Sequence, residues 1–199
     1  MALVHTLRYR QRNLPHWEVE GAGYFITVRC GDSLPARAIE RLRELRERPA
    51  RNPSEENLTM GSSQRKLFLT LEKYLDAGFG ACPLNQPTVA EIIQSELAAL
   101  SEWQISAPHY SIMPNHCHAL FMPFDLRSHP LSTVMKRIKG RTAKRIRDAI
   151  GGSGPFWQSE WFDRWIRSSE EWDRLVGYIR NNPVKAGLAA RWELHPWTR

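Results

Sequence analysis

The sequence predicts an α+β protein in which helices pack on one face of an antiparallel sheet. Three runs rich in aromatic and β-branched residues indicate strands, at residues 23–29, 109–113 and 117–124. The last two are split by a short break that contains Pro114-Asn115, and longer amphipathic segments lie between the first two. The length of 199 residues fits a single domain over residues 1–199.

Helices are expected where apolar residues recur every three or four positions. The longest such pattern covers residues 131–150, and shorter ones cover residues 36–48, 67–77, 88–103 and 170–182. We expect Pro183 to end the last helix, because proline disfavours a helical conformation at the residue before it. A short strand is expected near residues 165–167, and the polar residues 49–64 indicate a loop.

The composition excludes several classes of protein. Hydrophobic residues make up 42% and charged residues 25%, a balance typical of a globular protein. No apolar run approaches the roughly 20 residues that cross a bilayer, and residues 1–12 lack the apolar segment of a signal peptide. The three cysteines form no CxxC pair, so free thiols in a cytoplasmic, reducing setting are expected.

Basic residues are concentrated in one predicted helix. Lys and Arg together number 28 against 21 Asp and Glu, a net charge of +7, and residues 136–147 contain seven basic residues and no acid. A helix without interspersed acids favours contacts with a phosphate backbone over a merely solvated face. The candidate nucleic-acid contacts are Lys136, Arg137, Lys139, Arg141, Lys144 and Arg145.

His116 and His118 form the sharpest local motif. Residues two apart in a strand point to the same face, so both imidazoles can offer nitrogen ligands to one divalent metal ion. The alternative is that the two histidines are neighbours by chance, one of them only hydrogen-bonded. Cys117 points to the other face and is expected in the core, and there is no second Cys/His pair for structural zinc.

Tyr178 and Asn182 form the second motif, at the end of the last predicted helix. They are four residues apart and therefore share one helix face, beside the apolar stripe. A phenol and an amide placed in this way can act as a nucleophile and a metal ligand. Taken alone, the pair is better explained by a boundary tyrosine and a helix cap.

Together the motifs resemble the single-tyrosine transposases with a His-hydrophobic-His motif, specifically the REP-associated tyrosine transposases related to IS200/IS605-type elements. Residues 113–120 (MPNHCHAL) resemble the family's metal motif, and residues 178–188 (YIRNNPVKAGL) resemble its tyrosine-helix signature. Weaker matches are Leu14-Pro15-His16 with residues 24–27, and Phe162-Asp163-Arg164. Residues 49–86 match less clearly, as an insertion that varies within the family would.

The resemblance implies a ferredoxin-like sheet with the histidine pair on a central strand and the tyrosine helix lying across it. It implies that His116 and His118 bind Mg²⁺ or Mn²⁺, with Asn182 as third ligand in place of the more common Gln. Tyr178 would attack single-stranded DNA folded as a REP-like hairpin, giving a 5′-phosphotyrosine and a free 3′-OH. The basic helix would hold the DNA backbone, and either a monomer or a homodimer is compatible with the family.

Two other classes of function stay open. A relative of such a transposase could bind DNA or RNA hairpins without cutting them, although the intact histidine pair and Tyr178 argue against it. A metal-dependent hydrolase could use water at the histidine pair, but it would need more carboxylates than the nearby sequence offers, where only Asp125 is close.

Overall fold

The computed structural model describes residues 5–11, 14–47 and 62–199. In chain order its strands and helices are β1 (Thr6–Gln11), β2 (Pro15–Val19), β3 (Tyr24–Arg29), α1 (Ala36–Glu47), α2 (Ser62–Asp76), α3 (Pro87–Ala98), β4 (His109–Met113), β5 (His116–Phe121), α4 (Leu131–Ile150), β6 (Phe162–Trp165) and α5 (Ser169–Lys185). None of the helices in the described ranges is long and apolar enough to cross a membrane.

The centre of the fold is a four-stranded antiparallel sheet. Its strand order is β4–β5–β3–β6, with β5 paired on both sides, and β1 and β2 form a separate hairpin. From β3 to β6 the chain runs strand, helices, two strands, helix, strand, which is the ferredoxin-like arrangement. The predicted α+β class, antiparallel sheet and central position of the histidine strand are confirmed.

Helices cover both faces of the sheet, so the prediction that they pack on one face is wrong. On the first face, Tyr24, Ile26 and Val28 join the main apolar core with residues of α3 and α4. On the second face, Phe25 and Leu120 pack with residues of α5 and α2. The reason is that β3 and β5 are apolar at successive positions, so both of their faces must be buried.

The predicted strands and helices agree with the structure to within a few residues, with some differences. The strand expected near residues 165–167 lies earlier, as β6, and α2 begins five residues before its predicted start. The helix expected over residues 88–103 ends at Ala98 and continues as a 3₁₀ turn. The β1–β2 hairpin was not predicted. Most of the predicted 49–64 loop lies outside the described residues.

The sequence predicted that Pro183 ends the last helix, and this prediction is wrong. It lies inside α5, buried beside Asn182, and this packing holds one further turn despite the missing backbone donor. The helix ends instead at Lys185, and Gly187, just after the C-cap residue Ala186, has a positive φ of 69°. There the amide of Leu188 donates to the Pro183 carbonyl and the amide of Gly187 donates to the Val184 carbonyl, the pattern of a Schellman cap.

Candidate active site

His116 and His118 lie side by side on β5, on the face that α5 and α2 cover. Alternation along the strand brings their ring centroids to 4.7 Å, and both side chains are fully buried. Cys117, between them, faces the main core, as predicted. The sheet therefore directs the two imidazoles into one enclosed space.

Neighbouring residues hold the two rings in defined orientations. Asn115 Nδ2 donates to the Phe79 carbonyl, which leaves its Oδ1 to accept a hydrogen bond from His116 Nδ1 at 2.8 Å. Thr27, directly opposite His118 in the sheet, is joined to His118 Nδ1 by a hydrogen bond of 2.8 Å. Burial, followed by the effect of His118, lowers the pKa of His116 to about 3. His116 is therefore neutral, with a lone pair on Nε2.

Glu72, on α2, completes the group, and the sequence did not predict it. Its Oε2 lies 3.2 Å from His118 Nε2, and its side chain is almost fully buried. Burial alone would raise the pKa of Glu72, but the charge and hydrogen bond of His118, then His116 and Tyr178, hold the pKa below its usual value. One potential ligand atom from each of Glu72, His116 and His118 lies within 4.8 Å of the others.

The donor atoms of this group fit a divalent metal ion. Within the described ranges, Glu72 Oε1 and His116 Nε2 are buried atoms without a hydrogen-bond partner, and His118 Nε2 faces Glu72 Oε2 at 3.2 Å. Imidazole nitrogens and a carboxylate oxygen are ligands that divalent ions accept. The Nδ1 atoms of His116 and His118 are already fixed by hydrogen bonds to Asn115 and Thr27, as is typical of histidines that bind metals.

Tyr178 enters the same cluster from α5. Its hydroxyl donates a hydrogen bond to Glu72 Oε2, and its ring centroid lies 5.5 Å from that of His118. Burial raises the pKa of Tyr178 far above its usual value, and the charge and hydrogen bond of Glu72 raise it further. The phenol is therefore neutral in this structure, with its proton already directed at a carboxylate.

Asn182 follows Tyr178 by one helical turn and is also buried. Its Nδ2 atom has no hydrogen-bond partner among the residues that the structure describes. Its amide lowers the pKa of Tyr178, whereas Glu72 raises it by more, and this effect indicates that Asn182 is close to the phenol. Its part in metal binding stays a prediction.

The basic residues of α4 separate onto two faces. Arg137, Arg141 and Arg145 surround the fully buried Glu96, with N–O distances of 3.4, 3.0 and 3.8 Å. Lys144 pairs with Asp148. These four charges therefore have acidic partners within the protein. The sequence of α4 could not indicate the partner of the three arginines, because Glu96 lies on α3.

The other face of α4 lines a cavity of about 550 Å³, which we call the basic groove. Arg8 and Arg10 of β1 stand on one side of it, and Lys136, Lys139 and Arg147 on the other. Lys139 donates to the carbonyls of Gln158 and Ser159, both at 2.6 Å, and burial lowers its pKa to about 8. The remaining lining residues are mostly apolar or hydroxyl-bearing: Leu131, Ser132, Thr133, Ala143, Phe156, Trp157 and Trp161.

The two segments that match the family more weakly, around His16 and around Asp163, contact each other in the folded protein. His16 of β2 donates through Nδ1 to Asp163 of β6, and its Nε2 lies 3.3 Å from Glu160 Oε2. Burial alone would lower the pKa of His16, but Asp163 and Glu160 raise it above its usual value. This buried contact fastens the β1–β2 hairpin to the edge of the sheet and so builds one wall of the basic groove.

Fold and site together define a class of protein: a ferredoxin-like sheet that presents a buried histidine pair to a tyrosine on a covering helix. Residues 85–182 match the family model "Transposase IS200 like" and form an IS200-like transposase domain. This range contains His116, His118, Tyr178 and Asn182, and it excludes Glu72. The prediction from the motifs that the chain resembles IS200-type transposases is therefore confirmed for this range of residues.

One solved structure extends the likeness to the fold. A REP-associated tyrosine transposase bound to a REP hairpin is 18% identical to this chain, with a TM-score of 0.51. The match covers 96% of this chain and 81% of that one. A putative transposase from Deinococcus radiodurans R1 is 12% identical, with coverages of 80% and 89% and a TM-score of 0.34. No curated protein matches the sequence.

Proposed function

We propose that this protein cuts and rejoins single-stranded hairpin DNA through a covalent bond between Tyr178 and a 5′ phosphate. The observation that carries the proposal is the buried convergence of Tyr178, Glu72, His116 and His118, which come from three separate elements. The IS200-like domain over residues 85–182 supports a DNA substrate, and the REP hairpin held by the similar structure supports a hairpin.

The histidines would hold the metal ion through their Nε2 atoms, and the geometry favours Glu72 as the third ligand. Asn182, which the family resemblance implies, is the other candidate for that place. A bound Mg²⁺ or Mn²⁺ would neutralise charge on the phosphate that reacts. Asn115 and Thr27 keep the imidazoles oriented for this purpose.

The reaction exchanges one phosphoester bond for another. The Tyr178 oxygen forms a bond to phosphorus, and the bond from phosphorus to the 3′ oxygen breaks, which leaves a 5′-phosphotyrosine and a 3′ hydroxyl. The tyrosine proton passes to Glu72 Oε2, to which the hydroxyl already donates, and the 3′ oxygen takes a proton from solvent. Attack by a 3′ hydroxyl on the phosphotyrosine reverses these steps and rejoins the strand without ATP.

A denaturing gel tests the proposal with purified protein, Mn²⁺ and hairpin DNA labelled on either side of the cut. We expect a shifted protein band that carries only the label from the 3′ side, and that is absent for Tyr178→Phe. Tyr74→Phe is the matched control, because Tyr74 lies half-buried on α2, in an apolar cluster that includes Leu42 of α1 and Leu75 of α2. DNA retarded on a native gel without any adduct would identify a binding module instead.

The second candidate is a hydrolase that uses water, and one observation favours it. Glu72 supplies a carboxylate beside the histidines that the local sequence did not indicate. In that case the same gel would show cut DNA with no labelled protein, and Tyr178→Phe would still cut.

A further inference from the structure

A second cavity, which we call the side cavity, lies next to the candidate active site. Its volume is about 240 Å³, and it is enclosed by β3, the helices α1 and α2, and the segment that leads into β6. Thr27, on its border, is bonded to His118. Phe68, also on its border, has its ring centroid 6.0 Å from that of Tyr178. Single side chains therefore separate the side cavity from a proposed metal ligand and from the proposed nucleophile.

The walls of the side cavity suit a flat aromatic ring. Phe68, Phe162 and Trp161 supply aromatic surface, and the ring centroids of the two phenylalanines are 4.7 Å apart. The other apolar lining residues are Leu14, Leu34, Ile39, Leu42, Leu67 and Leu71. Pockets for drug-sized ligands measure about 300–1,000 Å³, and a nucleobase is smaller than such ligands. Because unpaired bases stack on aromatic side chains, both the size and the lining fit a single base.

Arg29 gives the side cavity a polar end. It lies on the same face of β3 as Thr27, half-buried, and its Nη1 donates to Ser33 Oγ at 3.2 Å. Among the described residues Arg29 pairs with no acid, and burial lowers its pKa to about 10, so it stays charged. Glu160, the one acid among the lining residues that the structure describes, lies 3.3 Å from His16 Nε2. The Arg29 guanidinium offers only donors, so it favours a ligand with acceptor atoms, such as the carbonyl oxygen of a base.

The covalent structure of a DNA strand connects this cavity to the proposed reaction. One sugar joins each base to its phosphate, so a phosphate placed at Tyr178 brings its neighbouring base close to Phe68. A phosphate in the side cavity would meet one cation and mostly apolar walls, whereas a base would find stacking surface and a donor. Most of the lining precedes residue 85, so the cavity lies largely outside the range that the family model matches.

We infer that the side cavity binds the base adjacent to the phosphate that Tyr178 attacks, with Phe68 and Phe162 against its ring and Arg29 on a carbonyl oxygen. This inference rests on the proposed function and gives the same site a base preference. The bases on the 5′ and 3′ sides of the cut share this chemistry, and the experiment distinguishes them. Adenine is the one DNA base without a carbonyl oxygen, so it should be the least favoured base in the cavity.

Single-turnover cleavage with Mn²⁺ tests the inference, after a denaturing gel has mapped the cut. The hairpins carry each of the four bases, or an abasic site, at one of the two positions that flank the cut. We expect an abasic site at one of these positions, and not at the other, to slow formation of the Tyr178 adduct roughly tenfold or more, because stacking is lost. Adenine at the same position should react roughly tenfold more slowly than the best base.

Arg29→Met should remove this discrimination, because it keeps the length of the side chain and deletes its donors. We expect the rates for adenine and for the best base to come within about twofold of each other in Arg29→Met. Arg43→Met is the matched control, since it removes the same charge from an exposed position of α1 that lines neither cavity. It should keep the preference of the unsubstituted protein.

A second readout measures binding without cleavage. Leu67→Trp fills the side cavity, and Leu69→Trp is its matched control, because Leu69 lies on the same helix, is 55% exposed and lines neither cavity. Pyrrolocytosine, a fluorescent base that keeps its carbonyl oxygen, is placed at successive unpaired positions, and Tyr178→Phe keeps the strand uncut. Its emission should change at one position for Tyr178→Phe and for Tyr178→Phe/Leu69→Trp, and not for Tyr178→Phe/Leu67→Trp at saturation. Circular dichroism melting checks that each variant is folded.

The outcomes separate this inference from the proposed function. Equal rates for abasic and intact hairpins, with a normal Tyr178 adduct, would overturn the inference and leave the chemistry in place. The same emission change for the Leu67→Trp and Leu69→Trp proteins would also overturn it, as would an unaltered preference in Arg29→Met. An emission change that Leu67→Trp removes, without any Tyr178 adduct in the unsubstituted protein, would contradict the proposed function alone. No binding by the unsubstituted protein would contradict both.

Discussion

The two faces of strand β5 differ sharply although they share one backbone. Cys117 and Ala119 point into an apolar core closed by α3 and α4. His116 and His118 point the other way, into a polar cluster that also contains Glu72 and the Tyr178 hydroxyl. Both faces are buried, so burial alone does not distinguish structure from function. What distinguishes them is that the second face holds polar atoms without partners inside the protein.

This comparison predicts that the first face determines stability and the second determines metal binding. Ile26→Ala, on the first face, should lower the free energy of unfolding by about 2–5 kcal/mol, because it leaves a cavity in a packed core. Urea unfolding followed by tryptophan fluorescence measures this. Calorimetric titration with Mn²⁺ should give an unchanged affinity, and a parallel loss of affinity would mean that the two faces are not separable.

His118→Ala, on the second face, should have a different signature. We expect Mn²⁺ affinity to fall by about 100-fold or more, because one of the ligands is lost. Unlike Ile26→Ala, the change removes metal binding as well as lowering stability, which falls because the buried Glu72 loses its partner. Cys117→Ala is the control, since it alters the neighbouring residue on the core face. Retention of Mn²⁺ affinity by His118→Ala would contradict the metal assignment.

Buried His116 should make stability depend on pH. Its pKa is near 3 when folded and near 6.5 when unfolded, so between these values a fall in pH protonates only the unfolded chain. The stability of the metal-free protein should therefore fall by about 1.4 kcal/mol per pH unit from this residue as the pH drops below 6.5.

Urea unfolding of the unsubstituted protein and of His116→Leu, both with a chelator present, isolates the contribution of His116 to the pH dependence of stability. The measurement belongs above pH 4.5, where Glu72 is ionised in both the folded and the unfolded chain. Parallel pH profiles for the two proteins would show that His116 is not buried as a neutral ring.

Thr27→Val should have the smallest effect of these changes. The substitution keeps the side-chain shape and removes the hydrogen bond to His118 Nδ1, so the ring loses its fixed orientation. We expect a roughly tenfold loss of Mn²⁺ affinity, typical of a lost partner of a metal ligand. Thr142→Val is a useful control, because that hydroxyl bonds within the other core, to Ile138 and Trp157.

The parts of the site that the sequence predicted are those with local patterns. His116 and His118 are two apart in a strand, and Tyr178 and Asn182 are four apart in a helix, so their faces follow from the periods of these elements. Glu72 lies 44 residues before His116 on another helix, and only folding brings them together. One signal was present: Glu72 interrupts the apolar face that Phe68 and Leu75 otherwise form, and an unpaired acid rarely occupies such a position.

The charges of α4 likewise depend on partners that are distant in the sequence. Residues 136–147 contain seven basic residues and no acid, and the sequence therefore predicts contacts with a phosphate backbone. Glu96 and Glu102, which pair with Arg137, are more than 30 positions earlier in the chain, so their effect becomes visible only in the folded protein. The β1–β2 hairpin was missed because residues 6–11 are mostly polar, and their alternation includes only two apolar residues, Leu7 and Tyr9.

The most direct test of the account is mass spectrometry of the protein after reaction with hairpin DNA and Mn²⁺. Digestion with trypsin releases residues 175–180, a peptide whose single tyrosine is Tyr178. The account predicts that this peptide carries the 5′-phosphoryl end of the cut strand, and that the other DNA fragment ends in a 3′ hydroxyl. Cut DNA together with an unmodified peptide would contradict it.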